Sequence, residues 1–360
     1  MGNKNPFQWG PVTVHPHVSY GLSYGTGLQS QPGQSSDSII NTLTPGISFD
    51  LGQHWQLGYS AAITFYSDKN FRDNVNHSVS LTGHTSYEDW AFSLSQSVAI
   101  TSDPMIQTAQ QTDQQSYSTS LGATYQINSE FSLQLNASQN LTDASGFTNS
   151  AGSAWDWSTM DWLNYQVGPG VSTGVGMGFG YSSVASGPDM TYEDYQGRFS
   201  WQFAQKLTLS LNGGAQVRQF INSGQSSLVS PLFGATLNYQ PFPFTSLHVN
   251  ASESVSSSYF QNQVTQNTTV SGGVSQRLFE KYFLSLNGGY TATTYKDSAT
   301  GPQQFTGRED DVSFFSLGLS TAFFKRGTAS VSYSISKTSS NYGGYGYTSN
   351  QIGFQLSYGY

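Results

Sequence analysis

Residues 351–360 alternate strictly between polar and apolar. Ile352, Phe354, Leu356, Tyr358 and Tyr360 share one face of an extended chain, and Gln351, Gly353, Gln355 and Ser357 share the other. The same two-residue rhythm returns along nearly the whole sequence: Leu207, Leu209 and Leu211 against Thr208, Ser210 and Asn212; Phe131, Leu133 and Leu135 against Ser132, Gln134 and Asn136. A period of two is the signature of strands. Sustained over a whole chain, it predicts an all-β fold in which one face of each strand meets hydrocarbon and the other meets water.

Placing strands by alternation, and turns by Gly, Asn, Asp and Pro clusters, gives 18 segments. They cover 11–24, 38–51, 54–66, 75–86, 89–101, 115–127, 130–141, 157–167, 170–183, 189–203, 206–220, 227–240, 244–256, 264–278, 281–295, 309–324, 328–338 and 347–360. The count becomes 16 if one weak strand, 75–86 or 157–167, is loop. Connections alternate in length. Short ones follow even-numbered strands, as at Gly52-Gln53, Ala204-Gln205 and Phe279-Glu280; longer ones at 25–37, 102–114, 142–156, 296–308 and 339–346 follow odd-numbered strands. Bacterial barrels pair short periplasmic turns with long outer loops. The expectation is a transmembrane antiparallel up-and-down β-barrel over 11–360, preceded by a short periplasmic segment 1–10, with both termini periplasmic.

Aromatic residues gather at strand ends. Trp55, Trp90, Phe203, Phe279, Phe324 and Tyr360 are expected at the short-turn end, and Phe65, Tyr117, Tyr165, Tyr181, Tyr259 and Tyr295 at the long-loop end. Two aromatic belts around a Val/Leu/Ala/Gly band fit the interfacial girdles of a barrel.

Composition narrows the class. Only 9% of the 360 residues are charged and 14% are aromatic. The first value is low for a soluble protein, and the second is high for a disordered one. No apolar run is long enough for a membrane helix. The net charge of −8 argues against nucleic acid as a partner. Zero cysteines rule out disulfides and thiolate metal sites. Residues 1–5 carry no apolar signal core, so the chain is expected to be a mature form behind an added start Met.

The closing residues Gln351, Gly353, Leu356 and Tyr358, followed by Tyr360, resemble the β-signal read by the outer-membrane assembly machinery. The opening Trp9-Gly10-Pro11-Val12-Thr13-Val14-His15-Pro16-His17, with the Tyr/Gly-rich strand behind it, is similar to the start of porin-like β-barrels of Gram-negative outer membranes. The resemblance implies export, assembly from the periplasm and a place in that membrane. It implies no catalytic residue.

Catalytic and metal sets are correspondingly thin. His15 and His17 face one way but lack a third ligand nearby. No nucleophile elbow or phosphate loop is present. The pairs Glu88-Asp89, Glu193-Asp194 and Asp310-Asp311 are expected as solvated rim charges, with Arg308 shaping the field at the outer mouth. No cofactor and no enzymatic activity are expected.

The lumen holds the remaining candidates. By parity Asn136, Asp194, Arg198, Asn212, Arg218, Asn250, Arg277 and Asn287 face inward. Arg218 is expected opposite about residue 191, within diagonal reach of Asp194. That pair is either a brace in the wall or a constriction charge. A barrel of this size with small polar inward residues should be wet, and any narrowing must come from a folded-in loop, with 102–114, 142–156 and 296–308 as candidates. Trp155 and Trp157 in or beside the second of these either fold inward or meet another subunit. The outward small residues Gly213, Ala215, Gly272 and Gly288 offer a face for a homo-oligomer or for lipid. The function expected is passive diffusion of small polar solutes with weak selectivity; the alternative is a structural or partner-binding barrel.

Overall fold

The computed structural model describes residues 7–105, 109–145, 153–185, 187–258, 263–298 and 307–360. Eighteen long strands form one closed antiparallel wall. In chain order they are β1 (Val12–Gln31), β2 (Gln34–Leu51), β3 (Trp55–Tyr66), β4 (Asn74–Tyr87), β5 (Trp90–Thr101), β6 (Asp113–Gln126), β7 (Phe131–Ser145), β8 (Ala154–Gly168), β9 (Val171–Val184), β10 (Met190–Phe203), β11 (Leu207–Phe220), β12 (Leu228–Phe242), β13 (Thr245–Ser257), β14 (Gln263–Leu278), β15 (Tyr282–Asp297), β16 (Glu309–Phe323), β17 (Gly327–Ser340) and β18 (Tyr347–Gly359). Each pairs with its neighbours in sequence, and β18 pairs with both β17 and β1, which closes the ring. Neither 75–86 nor 157–167 is loop: they are the strands β4 and β8.

The closing seam is pinned at the last residue. The Tyr360 N–H donates to the Pro16 carbonyl at 2.9 Å. His15 Nδ1 lies 3.2 Å from the Tyr360 carbonyl, and its Nε2 lies 2.8 Å from Asp50 Oδ2. The Tyr360 ring meets the edge of Phe7 at 4.5 Å and the Arg326 guanidinium at 3.5 Å. Ahead of β1, Gln8 and Trp9 fold back onto Thr13 and Val12.

Alternation sets the two faces. Val175, Phe179, Leu211, Phe233, Val249, Leu317 and Phe354 stand exposed on the outer face. An apolar surface of this extent is stable only against hydrocarbon. Towards the long-loop end, tyrosines of the outer face find polar partners: Tyr20 donates to Asn41 at 2.8 Å, Tyr195 to Glu193 at 2.7 Å and Tyr333 to Asn350 at 3.0 Å. Amphipathic rings at that height form an interfacial belt. The opposite belt carries Phe279 and Phe324, which are 87% and 86% exposed at the tips of turns.

Two aromatics among the described residues depart from the expected belts. Tyr165 belongs to the short-turn end, where its ring packs 4.9 Å from Phe131. Tyr295 is buried inside the rim instead of facing outward. Tyr259 lies outside the described residues. The stretch 25–37, expected as a long loop, is mostly strand: β1 and β2 continue to a tight turn at Pro32-Gly33, with Gly33 at φ +78°.

One carboxylate breaks the outer face. Asp161 shares the parity of Leu163 and Trp157, midway along β8. The β7–β8 ladder runs from Gln134↔Trp162 to Ala137↔Thr159 without pairing the residues between them. There the Asp161 carboxylate accepts the Asn136 N–H at 3.2 Å. A missing backbone partner is thus replaced by a side chain.

Candidate functional site

The polar faces of the strands enclose the lumen. Two cavities occupy it, about 710 Å³ towards the long loops and about 750 Å³ towards the short turns. Their walls are mainly Ser, Thr, Asn and Gln, as strand parity predicts. Inward asparagines lie flat because the neighbouring strand offers glycine at the same height. Asn212 covers Gly234 and Asn287 covers Gly273; in each case a methyl group on the glycine would collide with the amide oxygen. Flat side chains keep the bore wide.

The outer cavity is narrowed by a hairpin. The β12–β13 ladder stops at Phe233↔Glu253, although β13 and β14 stay paired up to Ser257↔Val264. Above Glu253 the β13–β14 hairpin therefore leaves the wall and leans inward. Val255 and Val264 pack against Val184, Met190, Phe220 and Leu228 in an apolar cluster. Ser257 Oγ lies 2.9 Å from Ser182 Oγ on β9. The segments that narrow the lumen are thus 254–258 and 263–267, which sequence did not single out. Their Ser/Thr/Gln composition looks like any other polar stretch, and only the truncated ladder reveals them. Residues 106–108, 146–152 and 299–306 of the three expected loops lie outside the described residues. Trp155 and Trp157 are half-exposed on the outer face.

Arg218 sits beneath the hairpin, 2% exposed. It pairs across the ladder with Tyr192. Its Nη2 donates to Gln216 Oε1 at 3.1 Å and to the Val255 carbonyl at 3.3 Å. Asp194 accepts from Gln216 Nε2 at 2.9 Å, and Asp156 accepts from Tyr192 at 2.8 Å. Arg218 and Asp194 are therefore linked through Gln216, not by the direct contact expected. The group braces the wall and anchors the hairpin.

Arg198 lies nearer the short turns. It donates through Nε to Asn164 Oδ1 at 2.8 Å and through Nη2 to Gln134 Oε1 at 2.8 Å. Its guanidinium stands 4.4 Å from the centre of the Trp162 ring. Trp162, an inward tryptophan that sequence reasoning passed over, is 8% exposed. Its even number on a strand whose odd positions hold Trp155 and Trp157 was the available signal.

The other expected residues separate. Asn212 lines the inner cavity and donates to Gln196 at 2.9 Å. Asn136 donates to the Met160 carbonyl at 2.8 Å and Gln134 reaches it from below, so it serves the wall. Asn250 and Asn287 hold inward ladder positions opposite Ser271 and Gly273. Arg277 is exposed at the short-turn mouth, where Nη2 donates to the Glu280 carbonyl at 2.7 Å.

The rim pair Arg308 and Asp310 corrects the expectation of solvated charges. Arg308 is 0% exposed and Asp310 is 2% exposed. Two hydrogen bonds join them, Nε–Oδ1 at 3.0 Å and Nη2–Oδ2 at 2.6 Å. The guanidinium stands 4.7 Å from the Tyr295 ring and 3.8 Å from the Tyr345 ring. Burial pushes the Tyr345 phenol up. At the 67–73 loop, the Tyr66 N–H holds the Asp73 carboxyl below its ordinary value.

Residues 195–359, from the middle of β10 to the end of β18, match the family model described as "Putative beta-barrel porin 2". The C-terminal part of the chain is thus similar to that porin-like β-barrel family. No curated protein matches it. Among solved structures, OpdO of Pseudomonas aeruginosa is 10% identical over 96% of this chain and 97% of its own, with a TM-score of 0.49. OccAB4 of Acinetobacter baumannii is 9% identical over 99% and 100%, also at 0.49. The copper transporter OprC is 9% identical over 92% of this chain and 64% of its own, at 0.48.

Proposed function

We propose that this porin-like barrel is a channel of a Gram-negative outer membrane through which small hydrophilic solutes diffuse. The observation that carries the reading is the closed wall around two cavities of several hundred Å³ lined by hydroxyls and amides. Such a lining exchanges hydrogen bonds with water and neutral polar solutes without strong charge selection. The inward Asn136, Asp194, Arg198, Asn212, Arg218, Asn250, Arg277 and Asn287 form the pore lining. Asp194 and Arg218 set the charge near the hairpin, and Arg198 sets it further in. Both termini lie on the periplasmic side, since the short turns are at the end that holds Tyr360. Gln351, Gly353, Leu356, Tyr358 and Tyr360, on the strand that closes the ring, serve as the signal for the assembly machinery. The protein acts as a channel and not as an enzyme. Reconstitution in planar bilayers tests this: stepwise conductance is expected, and a sealed barrel would refute it.

A partner-binding barrel is the second reading. It is supported by the inward hairpin, which reduces the outer half of the lumen. A tight partner isolated from membranes together with an absent conductance would favour it.

A further inference from the structure

Charges in the lumen are met unequally. Arg308 has Asp310. Arg218 shares its cavity with Asp156 and Asp194. Arg198 has neither arrangement: its acceptors are two neutral amides, Asn164 and Gln134. Among the described residues no carboxylate lies within ion-pair distance of it. Glu130 lines the same cavity but stands beyond that reach.

The wall is shaped to hold this cation still. Trp162 supports the guanidinium from below. Two glycines on β9 make the room. A methyl group on Gly176 would come within 2.6 Å of the Trp162 ring, and one on Gly174 within 2.7 Å of Asn164 Oδ1 and 3.3 Å of Arg198 Cγ. The Arg198 carbonyl is held in turn by the Thr173 hydroxyl at 3.0 Å. Of the three guanidinium nitrogens, Nε and Nη2 are committed to amide oxygens, and Nη1 makes no hydrogen bond to a described residue. The cavity in front of it holds about 750 Å³ and is edged by Ser132, Ser172, Ser200 and Ser210.

A fixed guanidinium with an open edge, neutral acceptors behind it and hydroxyl donors around it matches the needs of an oxyanion. We propose that Arg198, positioned by Trp162, Asn164 and Gln134, is a binding station in the lumen for a small oxyanion, a carboxylate or phosphate carried by the passing solute. The Nη1 hydrogens contact the anion directly, and the serine hydroxyls complete its shell. The proposal rests on the channel reading for its route of access, and the tests separate the two.

Single-channel current in potassium chloride is recorded with sodium acetate, inorganic phosphate or glucose added. Acetate, phosphate or both are expected to interrupt the current of the unaltered protein, and glucose is not. Arg198→Gln should weaken that block about tenfold and lower the anion-to-cation permeability ratio, whereas Lys206→Gln, at an exposed turn outside the lining, should leave the block unchanged. Equal block in the unaltered protein and Arg198→Gln, or equal block by glucose, overturns the station while leaving the channel intact. An absent conductance overturns the channel reading. Titration calorimetry of the micellar protein with acetate and phosphate then reads the station alone: heat that Arg198→Gln abolishes supports it, and no difference between the two proteins overturns it.

Discussion

The guanidinium of Arg218 stands 4.7 Å from the ring of Tyr192, its partner across the β10–β11 ladder. A cation on an aromatic face within a wet bore is shielded by the ring and by whatever covers its other side. Here the cover is the inward hairpin, held through the Val255 carbonyl. Arg218→Met keeps the length of the side chain and removes its donors. The hairpin should loosen, with a larger and noisier conductance in bilayers. Stability should fall by about 1.5–3 kcal/mol, the usual value of hydrogen bonds to a charged group, read from unfolding in micelles.

At the outer rim, Asp310→Asn leaves Arg308 buried without its carboxylate. Breaking one partner of a buried pair costs about 3–5 kcal/mol. The thermal midpoint should drop well below that of the parent. The double change Arg308→Met with Asp310→Leu should recover most of the loss, because no buried charge then remains.

The turn between β10 and β11 carries backbone strain without glycine. Ala204 and Gln205 have φ of 50° and 57°, and the Lys206 N–H closes the turn onto the Phe203 carbonyl at 3.3 Å. Left-handed conformation at both central positions is the type I′ arrangement, which Asn-Gly fits best. Replacing Ala204-Gln205 by Asn-Gly should stabilise the barrel by about 1 kcal/mol. A shift of the urea midpoint at unchanged slope would show it.

The Asp73 carboxyl accepts the Tyr66 N–H at 2.9 Å, and Lys69 adds its charge. Its folded value therefore lies below the ordinary 3.8. A depressed carboxyl stabilises the fold above the unfolded value and loses that contribution as pH falls through the folded one. The 67–73 loop should hold its position at pH 5 and loosen only below about pH 4. The Tyr66 amide chemical shift should follow this course in the parent, and Asp73→Asn should flatten it.

Asp161 faces outward midway along β8. A carboxylate on the hydrocarbon face of a barrel is destabilising. Asp161→Asn keeps an oxygen for the Asn136 N–H and removes the charge. Stability in lipid vesicles should rise by about 1 kcal/mol. A loss instead would mean that the charge itself is needed at that position.

The barrel was legible because period-two alternation and the rhythm of short and long connections are local properties of the chain. Even β4 and β8, with their broken patterns, fell in the right places. What sequence could not show depends on neighbours that are distant in the chain. Arg218 and Arg308 look like ordinary polar positions until Tyr192, Val255, Tyr295 and Tyr345 close over them. Trp162 is hidden between two outward tryptophans, and it finds room only because β9 carries Gly176. The departure of 254–257 from the wall is invisible because alternation continues through it while the pairing with β12 does not.

Because that hairpin hangs from one end of the tube, the two mouths are unequal. A particle arriving from the long-loop side meets the hairpin first, and one arriving from the opposite side passes Arg277 and then Arg198. The proposed channel should therefore rectify: currents of equal and opposite driving voltage should differ in size, giving the molecule an electrical polarity that its nearly repetitive sequence does not display.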